Sequence, residues 1–98
     1  MINNFPADEV LLARGKYSTL ASERRALMME LRDNMEALAS YASRILRSVD
    51  NTEFAVEQMV GLQQRVERSA AILPLVNELA EQLGALKPEA WGKKEQPE

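Results

Sequence analysis

The sequence contains no cysteine and no histidine. The first absence excludes disulfides, thiolate zinc sites and cysteine nucleophiles together. The second removes the commonest metal ligand and the side chain most used for proton transfer near neutral pH. Aromatic residues are few, with one Trp, two Tyr and two Phe. No apolar run approaches the roughly 18 residues that a membrane span requires, and Met1 to Val10 lacks a basic segment followed by an apolar one. A cytoplasmic protein is therefore expected, with no membrane association. Neither sign of charge dominates: 15 acidic and 12 basic residues leave a net charge of -3, which gives no general attraction to nucleic acid. The remaining Glu, Asp, Lys, Ser and Tyr are not grouped by a Gly-rich phosphate loop, a Glu-x-x-His pair or a nucleophile elbow. The chain reads as no enzyme, with no cofactor, no metal and no small-molecule substrate.

What the sequence does hold is helix-forming material, rich in Ala, Leu, Glu and Arg, with its four Gly and four Pro mostly near the ends of periodic segments. A length of 98 residues fits one domain that buries only a modest fraction of its surface. After a lead at residues 1–5, Asn4 as a cap, Pro6 in the first turn and the acids Asp8 and Glu9 place a helix start near residue 6. Val10, Ala13, Tyr17, Leu20, Arg24, Leu27 and Leu31 then alternate steps of three and four, with Arg24 the one misfit. From Met28 a more apolar frame begins: Met28, Leu31, Met35, Leu38, Ala42, Ile45 and Val49. Joining the two frames requires a stutter near residue 30.

The segment from Ser48 to Phe54 ends this helix and starts another, with Asp50 as N-cap, Glu53 as its box partner and Val49 with Phe54 as a staple. Asn51 or Thr52 could cap instead. The second helix carries Met59, Leu62, Val66, Ser69 and Leu73, with Gly61 on its outer side. Pro74 should kink or break it, after which the stripe re-phases to Ile72, Leu75, Leu79, Leu83 and Leu86. Gly84 suits a C-cap.

These signals define an all-α fold: a long antiparallel, coiled-coil-like helical hairpin within residues 6–86. Its parts are a helix at about 6–48, a turn at 49–52, helices at about 52–73 and 74–85, and a flexible tail at 87–98. With facing residues numbered symmetrically about the turn, Ile45 meets Met59, Ala42 meets Leu62, Leu38 meets Val66, Met35 meets Ser69 and Leu31 meets Leu73.

The apolar surface exceeds what one seam needs, because Leu27, Tyr41 and Leu46 flank the first stripe and Val56 and Ile72 flank the second. This flank favours a partner over a self-sufficient monomer, either another protein or a second copy completing a four-helix bundle; the two stand on equal footing. Met29, off the stripe, joins the candidate contacts, whereas Met28, Met35 and Met59 read as core. Arg24 either snorkels or pairs with an acid such as Glu78 or Glu81. Trp91 is either the anchor of a short binding motif or a fold-back over Tyr17 and Val10. The function expected is an adaptor, small complex subunit or inhibitor that binds protein through this flank. The alternative is a dimeric nucleic-acid-associated regulator using Arg24, Arg25 and Arg32; the acids interspersed among them favour a solvated, ion-paired face instead.

Overall fold

The structure, a computed structural model, describes residues 7–92. It consists of two α-helices, α1 (Asp8–Arg47) and α2 (Thr52–Trp91), packed antiparallel with no strand among the described residues. Each helix has 40 residues and is therefore about 60 Å long. The radius of gyration is 21.5 Å, against about 13 Å for a compact domain of this length.

The helix ends follow local chemistry. Asp8 and Glu9 occupy the first turn of α1, and Arg44 and Arg47 its last, each complementing the helix dipole. The Ala7 carbonyl accepts from the amides of Val10 and Leu11. The reading of a cap at Asn4 and of residues 1–5 as a lead lies outside the described residues; α1 begins at Asp8. At the turn, the Ser48 amide donates to the Ile45 carbonyl and its hydroxyl donates to the Arg44 carbonyl. Asn51 is the N-cap of α2, accepting from the Phe54 amide at 3.2 Å. Asparagine here displaces Asp50, the first choice from sequence, by a single residue.

A single heptad frame organises each helix. Along α1 and its C-cap, buried or half-buried positions recur at Val10, Ala13, Tyr17, Leu20, Arg24, Leu27, Leu31, Asn34, Leu38, Tyr41, Ile45 and Ser48, an unbroken alternation of three and four, with Arg14, Ala21, Glu30 and Ala37 half-buried beside them. The expected stutter is absent. The first frame continues to the turn, and Met28, Met35, Ala42 and Val49 are exposed one residue beyond Leu27, Asn34, Tyr41 and Ser48. The same shift appears in α2. Its seam runs through Ala55, Gln58, Leu62, Arg65, Ser69, Ile72, Val76, Leu79, Leu83, Leu86 and Ala90, while Met59, Val66, Leu73 and Leu75 are exposed. Facing layers are therefore Ile45 with Gln58, Tyr41 with Leu62, Leu38 with Arg65, Asn34 with Ser69 and Leu31 with Ile72.

Helix α2 continues through Pro74 and Pro88 and is capped only at Gly92, whose φ of 83° suits glycine. Gly84 lies inside the helix, and residues 87–91 of the expected tail are helical; residues 93–98 lie outside the described residues. No re-phasing follows Pro74, because that residue is exposed on the side away from the seam. The carbonyl that its missing N–H leaves free, that of exposed Ala70, can be hydrated there.

The core is thin. Among the described residues the buried apolar ones are Ala13, Ala55, Ala90, Ile72, Val76 and Leu79, and of the large side chains Ile72 alone is fully enclosed. Asn34 and Ser69 form a buried polar layer midway along the hairpin, where the Asn34 carbonyl oxygen accepts from Arg65 Nη1 at 2.8 Å.

Candidate functional site

Heptad letters make the surface legible. Let Val10, Tyr17, Arg24, Leu31, Leu38 and Ile45 be a positions in α1, and Ala55, Leu62, Ser69, Val76, Leu83 and Ala90 be a positions in α2. The g positions of the two helices then share one side of the hairpin. Glu30 and Arg68, both g, meet there in a bidentate pair at 2.6 and 3.0 Å. The e positions share the opposite side, backed by the b positions.

These two sides differ in chemistry. The g side and its adjoining c positions carry Lys16, Glu23, Glu30, Asp33, Arg44, Arg47, Glu57, Arg68, Glu78 and Glu89. The e and b positions from Met28 to Val49 and from Thr52 to Ala80 carry only one charge, Arg32, which pairs with Glu36 at 3.5 Å. Met28, Met35 and Leu46 from α1 and Val49 from the turn, with Val56, Met59, Val66 and Leu73 from α2, are all exposed on this face. The strip is about 30 Å long and about 20 Å wide. About 16 Å beyond it toward the open end stands Trp91, whose ring packs edge-on against Tyr17 at 4.9 Å and lies under the Arg14 guanidinium at 5.6 Å. Arg14 Nε donates to the Ala90 carbonyl at 2.8 Å and fixes that cluster.

Of the residues singled out from sequence, Leu46 and Val56 lie on this face, and Met29 is exposed on the outer edge of α1. Ile72, expected on the flank, is wholly buried. Leu27 and Tyr41 are half-buried seam residues, and so is Arg24, whose Nε is buried without a hydrogen-bond partner. No ion pair joins Arg24 to Glu78 or Glu81 among the described residues. Arg24, Arg25 and Arg32 thus do not form one free basic surface. Trp91 takes the fold-back position against Tyr17. Met28, Met35, Met59, Val66 and Leu73, expected as core, supply the face instead. The signal that locates them is the first frame of α1 carried past Leu31 unchanged, which needs no stutter.

Tyr41 also corrects the placement of Gly61, expected on the outer side. A Cβ at Gly61 would stand 2.6 Å from the Tyr41 ring, which is held in turn by Arg44 at 5.4 Å. Gly61→Ala gains up to about 1 kcal/mol of helix propensity but must displace that ring. We expect it to destabilise the wild-type protein by about 1 kcal/mol and to stabilise a Tyr41→Ala background, giving a coupling on the order of 1–2 kcal/mol in a denaturation double-mutant cycle. Equal effects in both backgrounds would refute the contact.

The Glu30–Arg68 pair predicts a pH dependence. The hydrogen bond from Arg68, aided by its charge, holds the Glu30 carboxyl below the ordinary glutamate range. A carboxyl depressed on folding contributes stability above its unfolded pKa and loses it as pH falls through the folded value. Between about pH 5 and about pH 3 the wild type should therefore lose more thermal stability than Glu30→Gln. Superimposable melting profiles across that range would contradict this.

No helix among the described residues is long and apolar enough to cross a membrane. Comparison of the chain with protein-family models, curated proteins and solved structures finds no match.

Proposed function

We propose that this chain works as a protein-binding module, with the uncharged e/b face of the hairpin as its docking surface and no chemistry of its own. The observation that carries this reading is the contrast between a face of large apolar side chains at heptad spacing with a single charge and an opposite side where ten charges stand among exposed Leu12, Phe54 and Leu75. Contiguous apolar surface of this extent marks interaction sites in soluble proteins, and a flat two-helix face with methionines suits a helical or grooved partner.

The test is Met35→Glu combined with Val66→Glu, two substitutions at exposed positions on facing helices. The wild-type full chain should associate, with itself or with another protein recovered from its native cell. The variant, still helical by circular dichroism, should not. A wild type that stays monomeric at high concentration and recovers the same proteins as the variant would end this reading.

A further inference from the structure

We propose that the occupant of the e/b face is a second copy of this chain. The dimer's two-fold axis runs along the hairpin, so that α1 of each copy lies over α2 of the other and both turns sit at one end. This rests on the reading of that face as a protein-binding surface and names the protein that covers it.

Three observations carry it. The first is area. The accessible surface is 7600 Å², about 2,000 Å² more than a compact monomer of this mass exposes. The apolar strip covers on the order of 600 Å² in plan, near the roughly 800 Å² per partner of a stable interface. The second is periodicity. Met28, Met35, Ala42 and Val49 repeat at seven residues on α1, and Met59, Val66, Leu73 and Ala80 do so on α2. Each helix therefore has a second stripe parallel to its first, which is the pattern of a helix with neighbours on two sides of a bundle.

The third observation is charge, and it selects both the partner and its orientation. Along the α2 edge of the face stand Glu53, Glu67 and Glu81, spaced by two heptads and in no ion pair among the described residues. Along the α1 side stand Arg25, likewise outside any ion pair, and Arg32. The α2 edge is acidic, whereas the α1 side carries Arg25 outside any ion pair and Arg32 paired with Glu36, so the face complements itself in part under a two-fold rotation. With both turns at one end, Arg25 comes within about one helical turn of Glu81 of the other copy and Arg32 within about one turn of its Glu67, on opposite sides of exact register. With the turns at opposite ends and the axis at the level of Ala39, the acidic α2 edge would run along the acidic α2 edge of the other copy. Like charges along facing edges are disfavoured, and such juxtaposition is a means of rejecting wrong arrangements.

The absence of cysteine makes a direct test available. Ala39 and Gln63 are exposed b positions at the same level of the face. In the proposed dimer Ala39 of one copy meets Gln63 of the other, while the two Ala39 residues lie on diagonal helices. Mixing the full-length variants Ala39→Cys and Gln63→Cys under mild oxidation should give the mixed covalent dimer, with neither variant crosslinking alone, and native mass spectrometry of the unmodified chain should give twice 11.0 kDa. Ready self-crosslinking of Ala39→Cys would overturn the arrangement in favour of turns at opposite ends. A mass of one chain at about 100 μM would overturn the dimer, because a standard-size interface between preorganised helices falls in the micromolar range or tighter. Were the single chain nevertheless to lose a partner through Met35→Glu and Val66→Glu, the proposed function would stand and only this identification of the occupant would fail.

Discussion

Ile72→Ala should destabilise the protein by about 2–5 kcal/mol, the largest loss expected from any single truncation in the chain. Ile72 has 0% exposure and faces Leu31 at the middle of the seam. Its neighbours in the seam, Ser69 and Val76, are too small to fill the space left behind. The other fully or nearly buried apolar residues are largely alanines, so no alternative cluster can take over. A total stability of about 5–15 kcal/mol is usual for a domain, and this one has a thin core. Chemical denaturation should therefore show the variant near the edge of folding, at a midpoint that rises with protein concentration if association contributes to stability. A loss below about 1 kcal/mol would mean that Ile72 is not the centre of the seam.

The opposite sign is expected one layer away. Asn34 and Ser69 are 2% and 4% exposed, and Asn34 Nδ2 and Ser69 Oγ are buried without hydrogen-bond partners. A buried polar group left unpaired costs about 1–3 kcal/mol. Asn34→Leu combined with Ser69→Ala removes both unpaired groups, gives up the Arg65 hydrogen bond and adds roughly two methylene groups to the layer. The double variant should be more stable by about 1–3 kcal/mol in denaturant titration. Such layers are retained in coiled coils because they fix register, at a cost in stability. The same variant should therefore crosslink less selectively in the Ala39 and Gln63 pairing. Destabilisation by the double substitution would show that the layer is satisfied in solution, for instance by a bound water.

The register error made from sequence has the same physical root. A hydrophobic pattern follows the most apolar stripe, and in the turn-proximal half of each helix that stripe is not the seam. Asn34, Ser48, Gln58 and Arg65 occupy seam positions, while Met28, Met35, Met59 and Val66 stand one residue further on and are exposed. Choosing the apolar frame moved the core by one residue in both helices, and the apparent stutter was the junction between a true seam and a second face. In the open-end half the α1 stripe through Ala13, Tyr17, Leu20 and Leu27 is the seam, whereas on α2 Leu75, expected in the stripe, is exposed and Val76 takes its place. The hairpin itself, its turn and its antiparallel layering were legible because short-range capping and chain connectivity determine them. Continuity through Pro74 was not, since a proline pointing away from the seam leaves no mark on the core spacing. Leu46 and Val56 were recognised as flank residues because both stripes exclude them. Ile72 was misplaced because Leu73 beside it is equally apolar.

The methionines provide the most direct measurement of whether the e/b face is covered. In the isolated hairpin Met28, Met35, Met59 and Met29 are 43%, 46%, 50% and 60% exposed, so a bare hairpin would oxidise all four at comparable rates under mild peroxide. Met29 lies off the face and the other three lie on it. Peptide mass analysis of the oxidised, natively assembled protein should find Met29 converted first and Met28, Met35 and Met59 protected several-fold, with the protection abolished by Met35→Glu and Val66→Glu at the two methionines that remain. Conversion of all four at similar rates in the native protein would contradict the account.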